Sequence, residues 1–305
     1  MEVSPWSHAL PHSPWIRAAG HAFKSLRGDD AIPLIGSILT EFRALDWEGI
    51  HVWQRDPCMP GWNGYEPGKT PLVESIEREL AKHLRELEDP RFESIGNVVP
   101  PNTKILDLIL LEPNHWWVGS HLAESIEQRW PGGVFPISPP ANMLSRAYLK
   151  LAEALAWSQL PIVKGDHVVE IGSAPGGACQ RLLELGLIVT GVDPAEMDPL
   201  VLSHPRFSHW QARSLQVKRR RFANFRWLVC DANVAPNYTL DTVEGIVTYP
   251  TSKFEGLLLT MKLSEWDQAD KISEHLARVR SWGFTNVRAR QLAHNRREYC
   301  LAATR

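Results

Sequence analysis

The 305-residue sequence has no apolar run of the roughly 20 residues needed to cross a bilayer. Its N-terminus lacks the charged-then-apolar order of a secretory signal. The four cysteines, Cys58, Cys179, Cys230 and Cys300, include no CxxC pair. That argues against a disulfide or zinc framework and for reduced, mostly buried thiols. The 12 histidines are spread without a metal-ligand cluster, so no metal is expected. Internal repeats and low-complexity tracts are missing as well. What remains is a soluble, cytoplasmic globular protein, which 44% apolar and 22% charged residues suit.

Positive charge is scarce in the first half. Residues 1–140 carry 12 Lys and Arg against 19 Asp and Glu, net −7, whereas residues 141–305 carry net +5. The basic half suggests a polyanionic partner; an ordinary solvated surface gives the same difference. Trp130–Pro140, WPGGVFPISPP, has four prolines, two glycines and no periodicity, and marks a boundary. Two domains are expected, residues 1–135 and 136–305. In the first, a helix is expected over 71–88 and strands at 49–53 and 104–112. In the second, apolar runs at 168–171, 187–192, 227–229, 256–261 and 299–302 alternate with helical patterns. This predicts an α/β, Rossmann-like domain with a parallel-type sheet, beside a smaller α+β N-terminal domain.

Two loops suggest phosphate or nucleotide chemistry. PGKT at 67–70 lacks the first glycine of a P-loop and its preceding strand, and Pro71 follows it, so it is set aside. VVEIGSAPGG at 168–177 does follow a strand and open a helix. Gly172 is followed by Ala174, so the second glycine that a pyrophosphate demands is absent. A phosphate-free adenosine ligand, S-adenosylmethionine, relaxes that demand. Gly172, Ser173, Ala174, Pro175, Gly176 and Gly177 would form its cradle. Glu170 would hold the methionine end or else cap the helix. Asp193, ending IVTGVD, would take the ribose hydroxyls or else begin a turn.

EIGSAPGG resembles the first motif of the FtsJ-like (RrmJ) ribose 2′-O-methyltransferases. SRAYLKL, WLVCDA, LLLTMKL and HNRREYCL match the family's later motifs in order and supply Lys150, Asp231, Lys262 and Glu298. Residues 130–305 further resemble the RlmM-like branch, which acts on large-subunit ribosomal RNA. The resemblance implies S-adenosylmethionine as cofactor, RNA as partner and those four residues as the catalytic set. It also implies that the N-terminal half is a shortened or diverged THUMP-like RNA-binding region. One departure stands out: SHWQARSLQ offers no acid after the third strand, leaving Gln211, backbone or stacking to hold adenine.

A ribose hydroxyl ionises far above neutral pH, so a base must take its proton. A lysine serves only if burial or a neighbouring cation lowers its pKa from about 10.4. On that logic Lys262 is the expected base, it and Lys150 depressing each other's pKa. Lys150 and Asp231 would orient the hydroxyl and balance charge, and Glu298 would support the lysine and the ribose. Phosphate binding is expected at Arg213, Lys218, Arg219, Arg220 and Arg221, and at Arg288, Arg290, Arg296 and Arg297; a solvated surface is the plain alternative. Trp116 and Trp117 either stack bases or, as is commoner for tryptophan, pack a core. Two rival functions stay open: methylation of a base or small molecule, and a catalytically silent RNA-binding or assembly factor. The sequence leaves the oligomeric state open.

Overall fold

The computed structural model describes residues 13–305 except Ser264. Backbone contacts divide the chain into two compact units, Met1–Pro136 and Ile137–Arg305. Among the described residues no helix is long and apolar enough to cross a membrane.

The first unit runs β1 (His21–Arg27), α1 (Ala31–Phe42), β2 (Gly49–Gln54), α2 (Pro71–Glu86), β3 (Lys104–Glu112) and β4 (His115–Leu122). Its sheet has the order β1-β4-β3-β2, with β2 parallel to β3 and the other pairs antiparallel. The α2 crossover makes the parallel pair possible, while the short link after Glu112 leaves β4 only the antiparallel return. PGKT is the start of α2: Thr70 Oγ1 accepts from Val73 N at 3.2 Å, and Pro71 takes the first helical position. Strand alternation sorts the side chains. Ile50, Val52, Leu106, Leu108, Leu110, Trp116 and Val118 form the core with Ile35, Ile38, Val73, Ile76 and Leu80 of the two helices. Trp116 is fully buried, whereas Trp117, one residue on, is 46% exposed. The adjacent tryptophans therefore have different environments and cannot share one role.

The second unit begins with α3 (Ala147–Ser158), then β5 (His167–Ile171), α4 (Gly177–Glu184), β6 (Ile188–Val192), α5 (Pro199–Leu202), β7 (Phe207–Trp210) and β8 (Trp227–Cys230). It continues through α6 (Pro236–Val247), β9 (Gly256–Lys262), α7 (Ile272–Ser281), β10 (Asn286–Arg290) and β11 (Glu298–Thr304). The seven strands lie in the order β10-β11-β9-β8-β5-β6-β7. Strands β5 to β9 are parallel, and Val168–Ile171 and Trp227–Cys230 are buried throughout, as strands covered on both faces must be. Only β11 runs against its neighbours β9 and β10. The seven residues between β10 and β11 are too few for a crossover, so the last strand departs from the parallel arrangement its apolar run suggested. Strand order reverses between β5 and β8, and ligands of such sheets bind outside the strand ends at that point.

Candidate active site

Four charged side chains meet at the C-terminal ends of the parallel strands. Lys150 lies in the first turn of α3, Asp231 directly follows β8, Lys262 ends β9, and Glu298 opens β11 opposite Lys262 in the ladder. Lys150 Nζ donates to Asp231 Oδ2 at 2.6 Å and to Glu298 Oε1 at 3.2 Å. Lys262 Nζ donates to Asp231 Oδ1 at 2.9 Å and to Glu298 Oε2. The result is a closed ring of two ammonium and two carboxylate groups, all largely buried. Its net charge is zero, which is what a low-dielectric site tolerates.

The ring changes the expected proton chemistry. Burial pulls the Lys262 pKa down, but Asp231 and Glu298 outweigh it and raise the ammonium well above its ordinary value. Burial likewise pushes Asp231 up, and the two lysines more than reverse this, leaving its carboxyl below the usual range. The expectation that Lys150 depresses Lys262 is therefore corrected. Lys262 Nζ is in direct contact with two carboxylates, and their attraction at about 3 Å exceeds the effect of burial.

A second set of residues, which the sequence did not single out, fixes Glu298. Both oxygens of the buried Glu153 on α3 accept backbone N–H groups, from Ala293 at 2.8 Å and His294 at 3.0 Å. Arg146 Nη2 donates to His294 O at 3.0 Å. These bonds hold the loop whose Asn295 donates from Nδ2 to Glu298 Oε1 at 3.3 Å. The available signal was a glutamate inside the apolar helical run LAEALAW.

The glycine-rich turn lies beside the ring. Gly172 has φ +80°, and a Cβ there would stand 2.8 Å from the Ala232 Cα, next to Asp231. Gly176 has φ +123°, with Val201 2.8 Å from a would-be Cβ. At Gly177, which opens α4, a Cβ would stand 2.9 Å from the Ser145 carbonyl oxygen. Side chains at these positions would fill the cradle or displace its walls. Asp193 closes the far side: Oδ2 accepts from Ala174 N at 3.2 Å and Oδ1 from Ala195 N at 2.8 Å. Each oxygen keeps a lone pair for a ligand hydroxyl. His209, at the end of β7, bonds through Nε2 to Asp193 O at 3.0 Å, so the exposed Gln211 follows within the same loop cluster.

Ser173 of the turn and Glu170 of β5 are both buried. The Ser173 hydroxyl donates to Met197 Sδ at 3.5 Å. Glu170 is buried beneath the turn, accepting from Cys179 Sγ at 2.7 Å. Burial, with Asp231 and Asp193 adding to it, pushes the Glu170 carboxyl up to about 8, so it is largely protonated at neutral pH. Cys230, beside Asp231, is buried, and burial pushes its thiol up to about 12.

The basic residues divide. Arg213, Lys218, Arg220 and Arg221 are exposed, and the Arg221 guanidinium lies 3.9 Å from the Trp210 ring centre. Arg219 is half-buried and donates from Nη1 to Ser214 O at 3.0 Å, so part of its charge serves its own loop. Arg288 donates to the Trp157 and Ser158 carbonyls at the end of α3, at 3.1 and 2.5 Å, and Arg290 is buried. Those two therefore do not belong to an open basic face, while Arg296 is half-buried and Arg297 exposed.

A family model described as FtsJ-like methyltransferase matches residues 143–268. The ribosomal RNA large subunit methyltransferase M of Marinobacter nauticus is 31% identical over 287 residues, spanning 89% of this chain and 77% of that protein. Its namesake from Halorhodospira halophila is 28% identical over 252 residues, spanning 77% of this chain and 70% of the other. Among solved structures, the Methanococcus jannaschii fibrillarin pre-rRNA processing protein superposes with a TM-score of 0.41 at 12% identity, over 65% of this chain and 81% of that one.

Proposed function

This chain belongs to the FtsJ-like methyltransferases, in the ribosomal RNA large subunit methyltransferase M branch, and from that premise we propose that it methylates a ribose 2′-hydroxyl of large-subunit ribosomal RNA. The observation that carries this reading is the closed ring of Lys150, Asp231, Lys262 and Glu298. S-adenosylmethionine, the methyl donor of this enzyme class, supplies an electrophilic methyl group. The glycine cradle fits it: Gly172, Ala174, Pro175, Gly176 and Gly177 would present backbone to it, Asp193 would take its ribose hydroxyls, and Gln211 would hold the adenine. Glu170 and Ser173 support the turn from below.

The two carboxylates hold Lys262 as the ammonium in the resting ring. It becomes a base only when bound substrate draws Asp231 and Glu298 away from its Nζ and the proton leaves to solvent. The amine then takes the 2′-hydroxyl proton as the oxygen attacks, and Lys150 and Asp231 hold that oxygen in line. No cysteine nucleophile for methylation at a base carbon is offered by Cys230, whose thiol is buried and held protonated. Arg213, Lys218, Arg219, Arg220, Arg221 and Arg296 would lie along RNA phosphates, with residues 1–136 as an accessory THUMP-like RNA-binding unit, and the enzyme would work in the cytoplasm. The test is transfer of labelled methyl to ribosomal RNA followed by alkaline hydrolysis. An alkali-resistant dinucleotide is expected, and a methylated base in its place would overturn the assignment.

A further inference from the structure

One face of the sheet in the first unit packs on the two helices; the other carries a buried polar row. His51 on β2 stands directly beside Asp107 on β3, and His121 on β4 lies diagonally across from them. His51 is fully buried, and Asp107 and His121 nearly so. One nitrogen of each ring and one carboxylate oxygen all lie within 4.8 Å of one another.

The surrounding bonds leave the same atom of each ring facing inward. His51 Nε2 lies 3.2 Å from Asn97 O, and His121 Nε2 lies 2.8 Å from Gln128 O. A carbonyl only accepts, so both rings donate from Nε2 and keep Nδ1 as the second nitrogen, which in His121 meets Asp107 and in His51 has no partner. Trp53 Nε1 holds Asp107 Oδ1 at 3.4 Å, and His121 Nδ1 lies 2.5 Å from Oδ2. An ion pair of His121 with Asp107 accounts for two members of the row. It leaves His51 Nδ1 buried without a partner, at the cost of an unmet acceptor. Rings whose outer nitrogens are tied to backbone carbonyls and whose inner nitrogens converge on a carboxylate have the outer bonding of metal-ligating histidines.

We propose that His51 Nδ1, His121 Nδ1 and Asp107 Oδ2 bind a divalent transition-metal ion of the zinc class. Two imidazoles and one carboxylate select zinc over magnesium or calcium, which prefer all-oxygen sites. Ligand bonds of about 2.0–2.1 Å set tetrahedral ligand atoms roughly 3.3 Å apart, so the His121–Asp107 contact opens and His51 closes on the ion. A cavity of about 370 Å³ lined by Asp107, His121, Trp53, Trp117 and Trp130 reaches the site and admits water as the fourth ligand. The ion would join β2, β3 and β4 on the face the helices leave uncovered.

The test uses the full chain without an affinity tag, stripped with chelator and then titrated with zinc and with cobalt. Retention of one zinc per chain through dialysis is expected, with cobalt giving the visible bands of tetrahedral nitrogen and oxygen coordination. His51→Gln and Asp107→Asn should each weaken zinc binding by more than about tenfold. Failure of the wild-type chain to retain zinc would leave the ion pair alone and end the proposal. Sulfur-to-cobalt charge transfer, which would place the ion on a cysteine, would end it too, as would unchanged binding in a folded His51→Gln chain.

Discussion

Two buried polar clusters, one in each unit, use similar groups to different ends. Around Lys150, Asp231, Lys262 and Glu298 every charge faces two opposite charges, and the ring is complete within the protein. Around His51, Asp107 and His121 one nitrogen remains unmet. The first cluster forms where strands end, so loops and helix starts bring long side chains in from four elements. The second lies mid-strand, where the pleat fixes shorter side chains on one face and their spacing cannot adapt. A complete cluster balances its own charge; an incomplete one calls for something from outside. Substitutions should then cost most where a cluster is closed and least where charge is exposed.

Opening the closed ring should have the largest effect. Lys262→Ala removes the proposed base and should lower methyl transfer by about 10²–10⁴. It also leaves two carboxylates sharing one ammonium, a loss of about 3–5 kcal/mol of stability if the pair cannot repack. Cofactor binding by calorimetry should survive, since the cradle takes nothing from Lys262. Wild-type turnover by this variant would remove both the base assignment and the account of the ring.

The two halves differed in how legible they were. The catalytic unit could be read because its chemistry sits in short local strings: EIGSAPGG holds the cradle, and WLVCDA, LLLTMKL and HNRREYCL each end or begin a strand beside the charge they carry. What escaped was relational. The lysine pKa depends on which charges surround it in space, and nothing in LLLTMKL shows that two carboxylates flank Lys262. The strands β1, β7 and β10 lie at sheet edges with mixed burial, so they lack an unbroken apolar run. In the first unit His51, Asp107 and His121 are separated by 56 and 14 positions, and the parallel β2–β3 and antiparallel β3–β4 pairings bring them together. Arg288 looked like a phosphate ligand because it is charged and near other arginines; its helix-end carbonyl partners come from residues about 130 positions away.

Glu170 falls between the closed ring and the exposed surface, since it is fully enclosed yet bonded only to a thiol. Its carboxyl rises from 4.5 in the unfolded chain to about 8 in the fold, so between those values the folded state keeps a proton that the unfolded state has released. Stability from this group is complete below about pH 4.5 and is lost as pH rises through 8, at up to about 1.4 kcal/mol per pH unit. Glu170→Gln carries no titrating group, so urea unfolding from pH 5 to 8.5 should show a flatter profile than wild type. Parallel profiles would mean that the acid is already ionised in the fold.

The smallest effect belongs to the exposed arginines, and here the contrast lies within one residue type. Arg220 and Arg221 are exposed, and Arg221 also sits over the Trp210 ring; Arg288 spends its donors on the carbonyls that end α3. Each phosphate contact on a single strand contributes about 0.7 to the slope of log affinity against log salt. Losing two contacts in Arg220→Glu, Arg221→Glu should therefore reduce that slope by about 1.4 while leaving cofactor affinity unchanged. Arg288→Ala should do the reverse: the salt slope stays, and stability drops by about 1–3 kcal/mol as the helix-end carbonyls lose a charged donor. Fluorescence anisotropy with labelled RNA at several salt concentrations, paired with thermal melts, reads both. An unchanged slope in the double variant would make this loop a solvated surface, and a lower slope in the Arg288 variant would return that residue to the RNA face.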